Sequence, residues 1–491
     1  MKTLMDKLLS PRAFAIGYLP WLAINMMPIV NILNFTRVVL IAFAVWAVAI
    51  AVKQFFFGDR KVWTHKGMAL LLVFLGACLL SQALQFRYGG FDVLGKLCYF
   101  AVCLLILYPM PREGTEEYVK LFGILARVLG VVIGIAMLIS DWMFIEVYSG
   151  SVIGRGNGAV IYVGFAENRL FGLFSSANVG GTYALILILC SLLTILWSKH
   201  WRCKVLWRVL AGVQIFLAAM YISVGLSRGT YVSGLVLVLS YMMVRPAFKR
   251  ELSLARWKQI AIRAGSALVA MLLCVGLIQG LNKASCAVMR WNYERKVADN
   301  LIEDNAEMLE IIEKAELGAD GRTEAGREDI DFTNKRASIW SGHLKLLRGY
   351  HLLIGVNHPE QYMNQQLEAG ATFDHEQLVF VDYAGGNLHN GYLQILVNGG
   401  LLAFIPMMIF LVLCAVKAVR YLAGTVFSGR LPMDTKAYAV FSLLLPMVLA
   451  ILVNNVFETN FALMGANFFQ AFFWLIAGAC IHCAKEGVTN E

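Results

Sequence analysis

Apolar runs of about 20 residues recur from one end of this chain to the other. A helix of that length crosses ~30 Å of hydrocarbon, and lipid leaves a backbone only helices or closed barrels to form. Twelve such runs lie at approximately 14–31, 38–56, 67–84, 93–110, 121–139, 178–197, 205–223, 231–244, 260–281, 392–416, 438–456 and 463–481. Composition agrees with a lipid setting. The 491 residues are 59% hydrophobic and 15% charged, with a mean hydropathy of +0.66, whereas soluble chains carry about a quarter charged residues. The sequence therefore predicts an all-α, polytopic membrane protein with about twelve transmembrane helices. Residues 1–12 are basic and lead into the first run without a small-residue cleavage site, which predicts a retained first span.

A formal charge of +10 invites a nucleic-acid partner, but the distribution of that charge excludes one. Basic residues gather in alternate short connections: Lys53, Arg60, Lys61 and Lys66; Lys199, Arg202, Lys204 and Arg208; Arg245, Lys249, Arg250, Arg256, Lys258 and Arg263; and Lys417, Arg420, Arg430 and Lys436. The intervening short connections carry only Arg37, Arg87, Arg155, Arg169 and Arg228. Positive charge is retained on the cytoplasmic side, so an even number of spans with both termini cytoplasmic accounts for the alternation. The ten cysteines lie almost entirely in spans or at their cytoplasmic ends, and Cys286 alone falls in the largest connection, which excludes a disulfide framework there. Cys480 and Cys483 flank His482 without a second ligand pair, so no metal site is expected.

The chain divides into spans one to nine (1–281), a large extracytoplasmic helical loop (282–390) and spans ten to twelve (391–491). Within the loop, Leu301, Asn305, Met308 and Ile312 recur at helical spacing, with Glu303, Asp304, Glu307 and Glu310 turned away. That pattern predicts an acidic helix over 297–317, broken near Gly318 and Gly321. A second helix is expected over 334–347, with Arg336, Trp340 and His343 on one face, while 351–386 gives no clear element.

Four segments concentrate polar chemistry at the outer side: Arg169-Leu-Phe-Gly-Leu-Phe through Asn178, Ser227-Arg228-Gly229, Arg336 through Trp340, and Asn387-Leu-His389-Asn390. They set three arginines, a histidine and the amides of Asn178 and Asn390 at one membrane face. A guanidinium near lipid costs ~2.5–3.5 kcal/mol, so it implies a partner or a task. Arginine binds phosphate oxygens in bidentate fashion, and histidine exchanges a proton near neutral pH. Ordinary roles compete at each position: headgroup anchoring for Arg228, snorkelling for Arg169, pairing with loop carboxylates for Arg336, capping for His389 and helix-end bonding for Asn178. Lys96, four residues after Asp92, is expected to form an i,i+4 ion pair, and His375, Glu376 and Asp382 are solvated residues or acidic helpers to the histidine.

In order, side and spacing, these four segments resemble the O-antigen ligase and O-antigen polymerase membrane family over roughly 169–402. The resemblance implies a membrane-embedded glycosyltransferase of the C type that is metal-independent, inverting and free of cofactors. Such enzymes work at the outer face of the bacterial cytoplasmic membrane. The implied donor is an undecaprenyl-diphosphate-linked glycan, and the acceptor is a glycan or lipid-linked glycan. The implied site assigns His389, Arg228 and Arg169 to catalysis. Arg169, Arg228 and Arg336 bind the diphosphate, with Asn178, Trp340 and Asn390 in support. Membrane lipids are the other expected partners. Two competing readings stand beside it: a transporter or flippase for a lipid-linked glycan, expected to have broken helices and ions at the midplane, and a sensor or scaffold using the loop as a binding module.

Overall fold

The computed structural model describes residues 2–28, 30, 36–57, 67–109, 115–153, 160–166, 169–198, 201–246, 251, 253–299, 301–302, 306–316, 336–375, 378–379, 381, 387–425, 436–459 and 467–486. Its helices begin with α1 (Lys2–Leu8), α2 (Pro11–Asn25), α3 (Thr36–Phe57), α4 (Met68–Leu84), α5 (Phe86–Val102) and α6 (Thr115–Ile145). After a short sheet come α7 (Ala177–Trp197), α8 (Lys204–Gly225), α9 (Arg228–Val244), α10 (Arg256–Ala298), α11 (Ala306–Glu316) and α12 (Arg336–Leu344). The last five are α13 (His351–Ile354), α14 (Pro359–Glu368), α15 (Gly391–Thr425), α16 (Lys436–Asn454) and α17 (Phe468–Glu486). Among the described residues, each expected apolar run overlaps a helix. Five helical stretches are long and apolar enough to cross a membrane: Val119–Ile145, Ala177–Trp197, Lys204–Gly225, Arg256–Ala298 and Gly391–Gly424. Shorter apolar helices accompany them, including Arg228–Val244 and Tyr438–Asn454. The chain is a mostly helical, multi-pass membrane protein.

Serine caps start the helices that matter most below. Ser176 Oγ accepts from Val179 N–H at 3.2 Å, and Ser227 Oγ accepts from Thr230 N–H at 3.3 Å. Each cap satisfies a donor that the helix itself leaves orphaned. The serine of Ser227-Arg228-Gly229 is thus a cap, and it makes Arg228 the first residue of α9.

Two adjacent glycines then set the spacing of α7. A Cβ built on Gly180 would lie 1.9 Å from Tyr221 Oη on α8, and one on Gly181 would lie 2.1 Å from Thr230 Oγ1 on α9. Close approach of this kind is how helices associate where water supplies no hydrophobic drive. At the opposite end of α9, Arg245 and Arg263 both reach Glu251, at 2.5 and 3.4 Å. Arg263 also donates to the carbonyls of Met243 and Arg245, and Tyr438 of α16 donates to the carbonyl of Val244. The C-terminal end of α9 is therefore tied to α10 and α16 by charge and hydrogen bonds together.

Three features differ from the sequence-based expectation. The first is a three-stranded antiparallel sheet in an otherwise helical chain, formed by β1 (Ser149–Ile153), β2 (Val160–Ala166) and β3 (Arg169–Gly172). The run Val-Ile-Tyr-Val-Gly-Phe-Ala suits a pleated surface, and Ala166 pairs with Arg169 across the sheet. Gly172 has φ +63°, and a Cβ there would meet Ser140 at 2.3 Å, so only glycine lets the strand lie against α6. Arg169 therefore opens a strand instead of standing in an open loop.

The second difference is that α10 runs through the 281/282 boundary to Ala298, and its 43 residues extend roughly 65 Å at 1.5 Å per residue. Its far end is tied to α6 by Asn292, which donates to the Ile145 carbonyl at 3.0 Å, and by a Lys296–Glu146 ion pair. The acidic helix begins at Ala306, not at 297. Ile312 is buried as its spacing predicts, whereas Leu301 lies exposed in the preceding bend, and Asn305 and the Met308 side chain lie outside the described residues. Arg155, Glu376, Asp382 and the Asp92 side chain also lie outside them.

The third difference is that α15 is broken at Gly400 (φ 63°, ψ −167°), so the expected span 392–416 is two pieces. Segment 351–357, unassigned in the sequence, packs into the break. A Cβ on Gly400 would lie 2.2 Å from the Leu353 carbonyl, and Val356 N–H donates to the Val397 carbonyl at 2.5 Å. Ser81 of α4 and Gln85, which caps its C-terminus, donate to the carbonyls of Ile354 and Gly355 at 2.5 and 2.9 Å, which satisfies a buried non-helical backbone.

Two buried histidines steady this region. His343 Nδ1 lies 2.8 Å from the Ile339 carbonyl and His351 Nδ1 lies 3.0 Å from the Gly355 carbonyl. Burial pushes both imidazoles below their ordinary value of 6.5.

Two outcomes follow. Gly181→Ala forces α7 from α9 and lowers stability by about 1–3 kcal/mol, read as a drop in the midpoint of thermal unfolding in detergent. Because the folded state holds His343 and His351 neutral, their contribution is present above the unfolded pKa and lost as pH falls below about 6.5. His343→Phe should flatten part of that acid-side loss, read as unfolding temperature against pH.

Candidate functional site

The turns of five elements meet at one end of the bundle, opposite the Arg245–Glu251–Arg263 group. At their centre is Glu458, in the turn that follows α16. Its Oε1 accepts from Asn178 Nδ2 at 2.5 Å and from an Arg336 guanidinium nitrogen at 3.1 Å. Its Oε2 lies 3.3 Å from His389 Nδ1. Asn178 is the second residue of α7, and its Oδ1 accepts from Ser227 Oγ at 2.7 Å. One carboxylate therefore joins the starts of α7, α12 and α15 to the end of α16, and the Asn178 amide extends the network to the start of α9.

Exposure divides the labour within this group. The Glu458 and Arg336 side chains are 13% and 18% exposed, while His389 is 40% exposed. The ion pair is largely shielded from solvent screening, and the imidazole keeps an open side. When Nδ1–H is donated to the carboxylate, Nε2 of the neutral ring is left as an acceptor. Arg336 spends one of its five N–H donors on Glu458 and retains others in a fixed planar fork.

Backbone contacts hold the same assembly. The Glu458 and Asn455 carbonyls both accept from Gly391 N–H, at 3.0 and 2.8 Å. A Cβ on Gly391 would lie 2.5 Å from Asn455 Oδ1, so the approach requires glycine. Asn390 caps α15, its Oδ1 accepting from the N–H groups of Tyr392 and Leu393 at 3.0 Å. Trp340 Nε1 donates to the Leu388 carbonyl at 2.8 Å, and Thr459 Oγ1 donates to Asn387 Oδ1 at 2.5 Å.

The residues singled out from the sequence therefore divide into three groups. Asn178, Arg336 and His389 come together on one carboxylate. Trp340 and Asn390 shape the chain on either side of His389. Arg228 and Arg169 occupy neighbouring elements at the same end. Arg228 follows the cap Ser227 with its side chain exposed. Arg169 lies with its guanidinium 4.9 Å from the centre of the Phe171 ring, a cation–π arrangement. Tyr221 donates to the Phe171 carbonyl at 2.9 Å, and the Leu170 carbonyl lies 3.7 Å from a Cβ built on Gly225, which brings β3 beside the turn that leads to Arg228. His375 is exposed on the far side of the 359–368 helix in sequence. Among the described residues, no three His, Cys, Asp or Glu side chains come together as a metal site.

Sequence reasoning missed Glu458. It is 69 residues from His389 and 280 from Asn178, and belongs to no recognised segment. A signal was nonetheless present. Glu458 is the one acidic residue between Asp434 and Glu486, just past the end of an apolar run, and the energetic argument applied to the arginines applies equally to it.

Comparison with known proteins follows this geometry. Residues 214–408, from within α8 to within α15, match the family model described as O-antigen ligase. The matched part holds Arg228, Arg336, Trp340, His389 and Asn390, while Arg169, Asn178 and Glu458 lie outside it. No curated protein matches the chain. Over residues 214–408 this multi-pass membrane protein is similar to the O-antigen ligase family.

Proposed function

We propose that the chain transfers a glycan from an undecaprenyl-diphosphate carrier onto an acceptor hydroxyl at the outer face of the cytoplasmic membrane, as a metal-independent, inverting glycosyltransferase. The observation that carries this reading is the Glu458 carboxylate, which gathers a guanidinium, an amide and a partly exposed imidazole beside the Arg228 turn. The match of residues 214–408 to the O-antigen ligase family model supports the polysaccharide-forming class of reaction. Orientation follows from charge: Lys204, Arg208, Arg256, Lys258, Lys417 and Arg420 lie towards the bundle end opposite Glu458, as expected for a cytosolic side in a chain of about twelve spans.

In the proposed reaction the acceptor hydroxyl gives its proton to His389 Nε2 as its oxygen attacks the anomeric carbon. The bond from that carbon to the diphosphate oxygen breaks, and the lipid diphosphate leaves with the electron pair. Attack from the opposite face inverts the anomeric centre. The imidazolium so formed is stabilised by Glu458 at Nδ1, as carboxylates stabilise histidine bases elsewhere. Arg228, Arg169 and the remaining donors of Arg336 neutralise charge on the departing diphosphate. Polymerase and ligase share this donor and leaving group, so the acceptor distinguishes them: a lipid-linked repeat unit or a lipid A core.

A second reading, translocation of a lipid-linked glycan, rests on the broken helix at Gly400 and the non-helical backbone of segment 351–357 packed into it. Purified protein in vesicles with labelled undecaprenyl-diphosphate oligosaccharide separates the two as glycan transfer or translocation.

Arg228→Ala should lower turnover by about 10²–10³-fold. Arg228→Lys should rescue poorly, because one ammonium does not replace a two-pronged donor. Full product from Arg228→Ala at normal protein level removes that residue from the mechanism. His389→Ala should abolish the wild-type pH–rate profile, and an unchanged profile rules out a base. Glu458→Gln, which keeps the shape and removes the charge, should cut kcat by roughly two to four orders of magnitude with little change in KM.

A further inference from the structure

His389 has φ +49°, in the left-handed region that a residue with a Cβ rarely adopts. Strain of this kind persists only where surrounding bonds over-determine the chain. The bonds at this position are specific. Leu388, fully buried, has both of its peptide groups claimed by side chains: its N–H donates to Gln394 Oε1 at 3.0 Å and its carbonyl accepts from Trp340 Nε1 at 2.8 Å. His389 N–H donates to Asn387 Oδ1 at 3.0 Å.

Gln394 is 2% exposed, and its other end, Nε2, donates to Asn398 Oδ1 at 3.1 Å. Asn398 in turn offers its carbonyl to Ser81 Oγ of α4 at 3.2 Å. The Gln394 amide thus spans from the residue before His389 to the polar belt at the break in α15. One turn into its helix, it is the first side chain that can reach back over the strained residue.

We infer that Gln394 is a positioning residue for His389: by accepting from Leu388 N–H while anchored on Asn398, it holds the left-handed turn that directs Nδ1 to Glu458 and Nε2 to the open side. This inference rests on the proposed role of His389 as proton acceptor. At 2% exposure, Gln394 presents almost no surface to a substrate. Its loss therefore acts on turnover and leaves the phosphate-binding arginines intact.

The test uses the full chain in lipid nanodiscs with labelled undecaprenyl-diphosphate oligosaccharide and four variants: His389→Ala, Gln394→Leu, Gln394→Glu and the double variant His389→Ala/Gln394→Leu. Gln394→Leu should lower kcat by about 10- to 100-fold, the scale of an ångström-sized misplacement. Its donor KM should stay within about twofold of wild type. Gln394→Glu keeps an acceptor for Leu388 N–H, and rotation of the Asn398 amide gives the carboxylate a donor, so kcat should recover to within about threefold of wild type. In the His389→Ala background, Gln394→Leu should cost nothing further, because the group it positions is gone.

If His389→Ala transfers glycan at the wild-type rate, the reading of the site fails. If His389→Ala is inactive while Gln394→Leu keeps wild-type kcat, the site reading stands and the positioning role is overturned. A loss that falls wholly on KM, or one that repeats in full on the residual activity of His389→Ala, also overturns it. Should Gln394→Leu not accumulate as folded protein, folded Gln394→Glu decides alone, and a kcat below about one tenth of wild type overturns the role.

Discussion

A single carboxylate does for one end of this bundle what a core does for a soluble domain. Glu458 accepts from Asn178 and Arg336 and faces His389, so the ends of four helices that are distant in sequence share one small negative volume. In lipid, helices gain nothing from excluding water from one another, and packing and polar contacts carry their association. The close approach at Gly180 and Gly181 brings Asn178 to the cap of α9, and Glu458 then closes the group from α16. The chemistry of the site follows from the same contacts. A carboxylate already bonded to a guanidinium and an imidazole fixes the tautomer of the histidine and the direction of the arginine fork together.

Polar interruptions in this protein occur where backbone must leave the helix. The break at Gly400 is filled by segment 351–357, and Ser81, Gln85 and Asn357 supply the partners that lipid cannot. The left-handed His389 lies one short helical segment away, held between Trp340 and Gln394. The two irregularities share Asn398, so the shape of the candidate site and the shape of the broken helix are set by one connected run of amides. At the other end of α9, Arg245, Glu251 and Arg263 lock the helix in depth and rotation. The Arg228 turn therefore projects from a helix fixed at both ends.

Helix positions were legible in the sequence because hydropathy acts residue by residue: each apolar run becomes a helix whatever its neighbours do. The residue types of the site were legible for a related reason, since a guanidinium at Arg228 or Arg336 is costly near lipid without a partner. Less legible was anything that depends on which turn lies beside which. The sheet at 149–172 arises where a β-prone run finds a shelf on α6 at Ser140. The continuation of α10 past 281 depends on its anchorage to α6 and α11. Glu458 carries no motif, and its weight comes only from what surrounds it.

By itself, then, the sequence determined that this chain lives in a membrane as many helices and that arginines and a histidine gather at one face, because burial of charge and exposure of apolar surface are penalised locally and in proportion to composition. Only the tertiary structure decided that Asn178, Arg336 and His389 share a single carboxylate, and that Trp340 and Gln394 hold His389 in a left-handed turn. Those outcomes turn on hydrogen bonds a few ångströms long between groups up to 280 residues apart, and such bonds exist only once helix packing has fixed both ends.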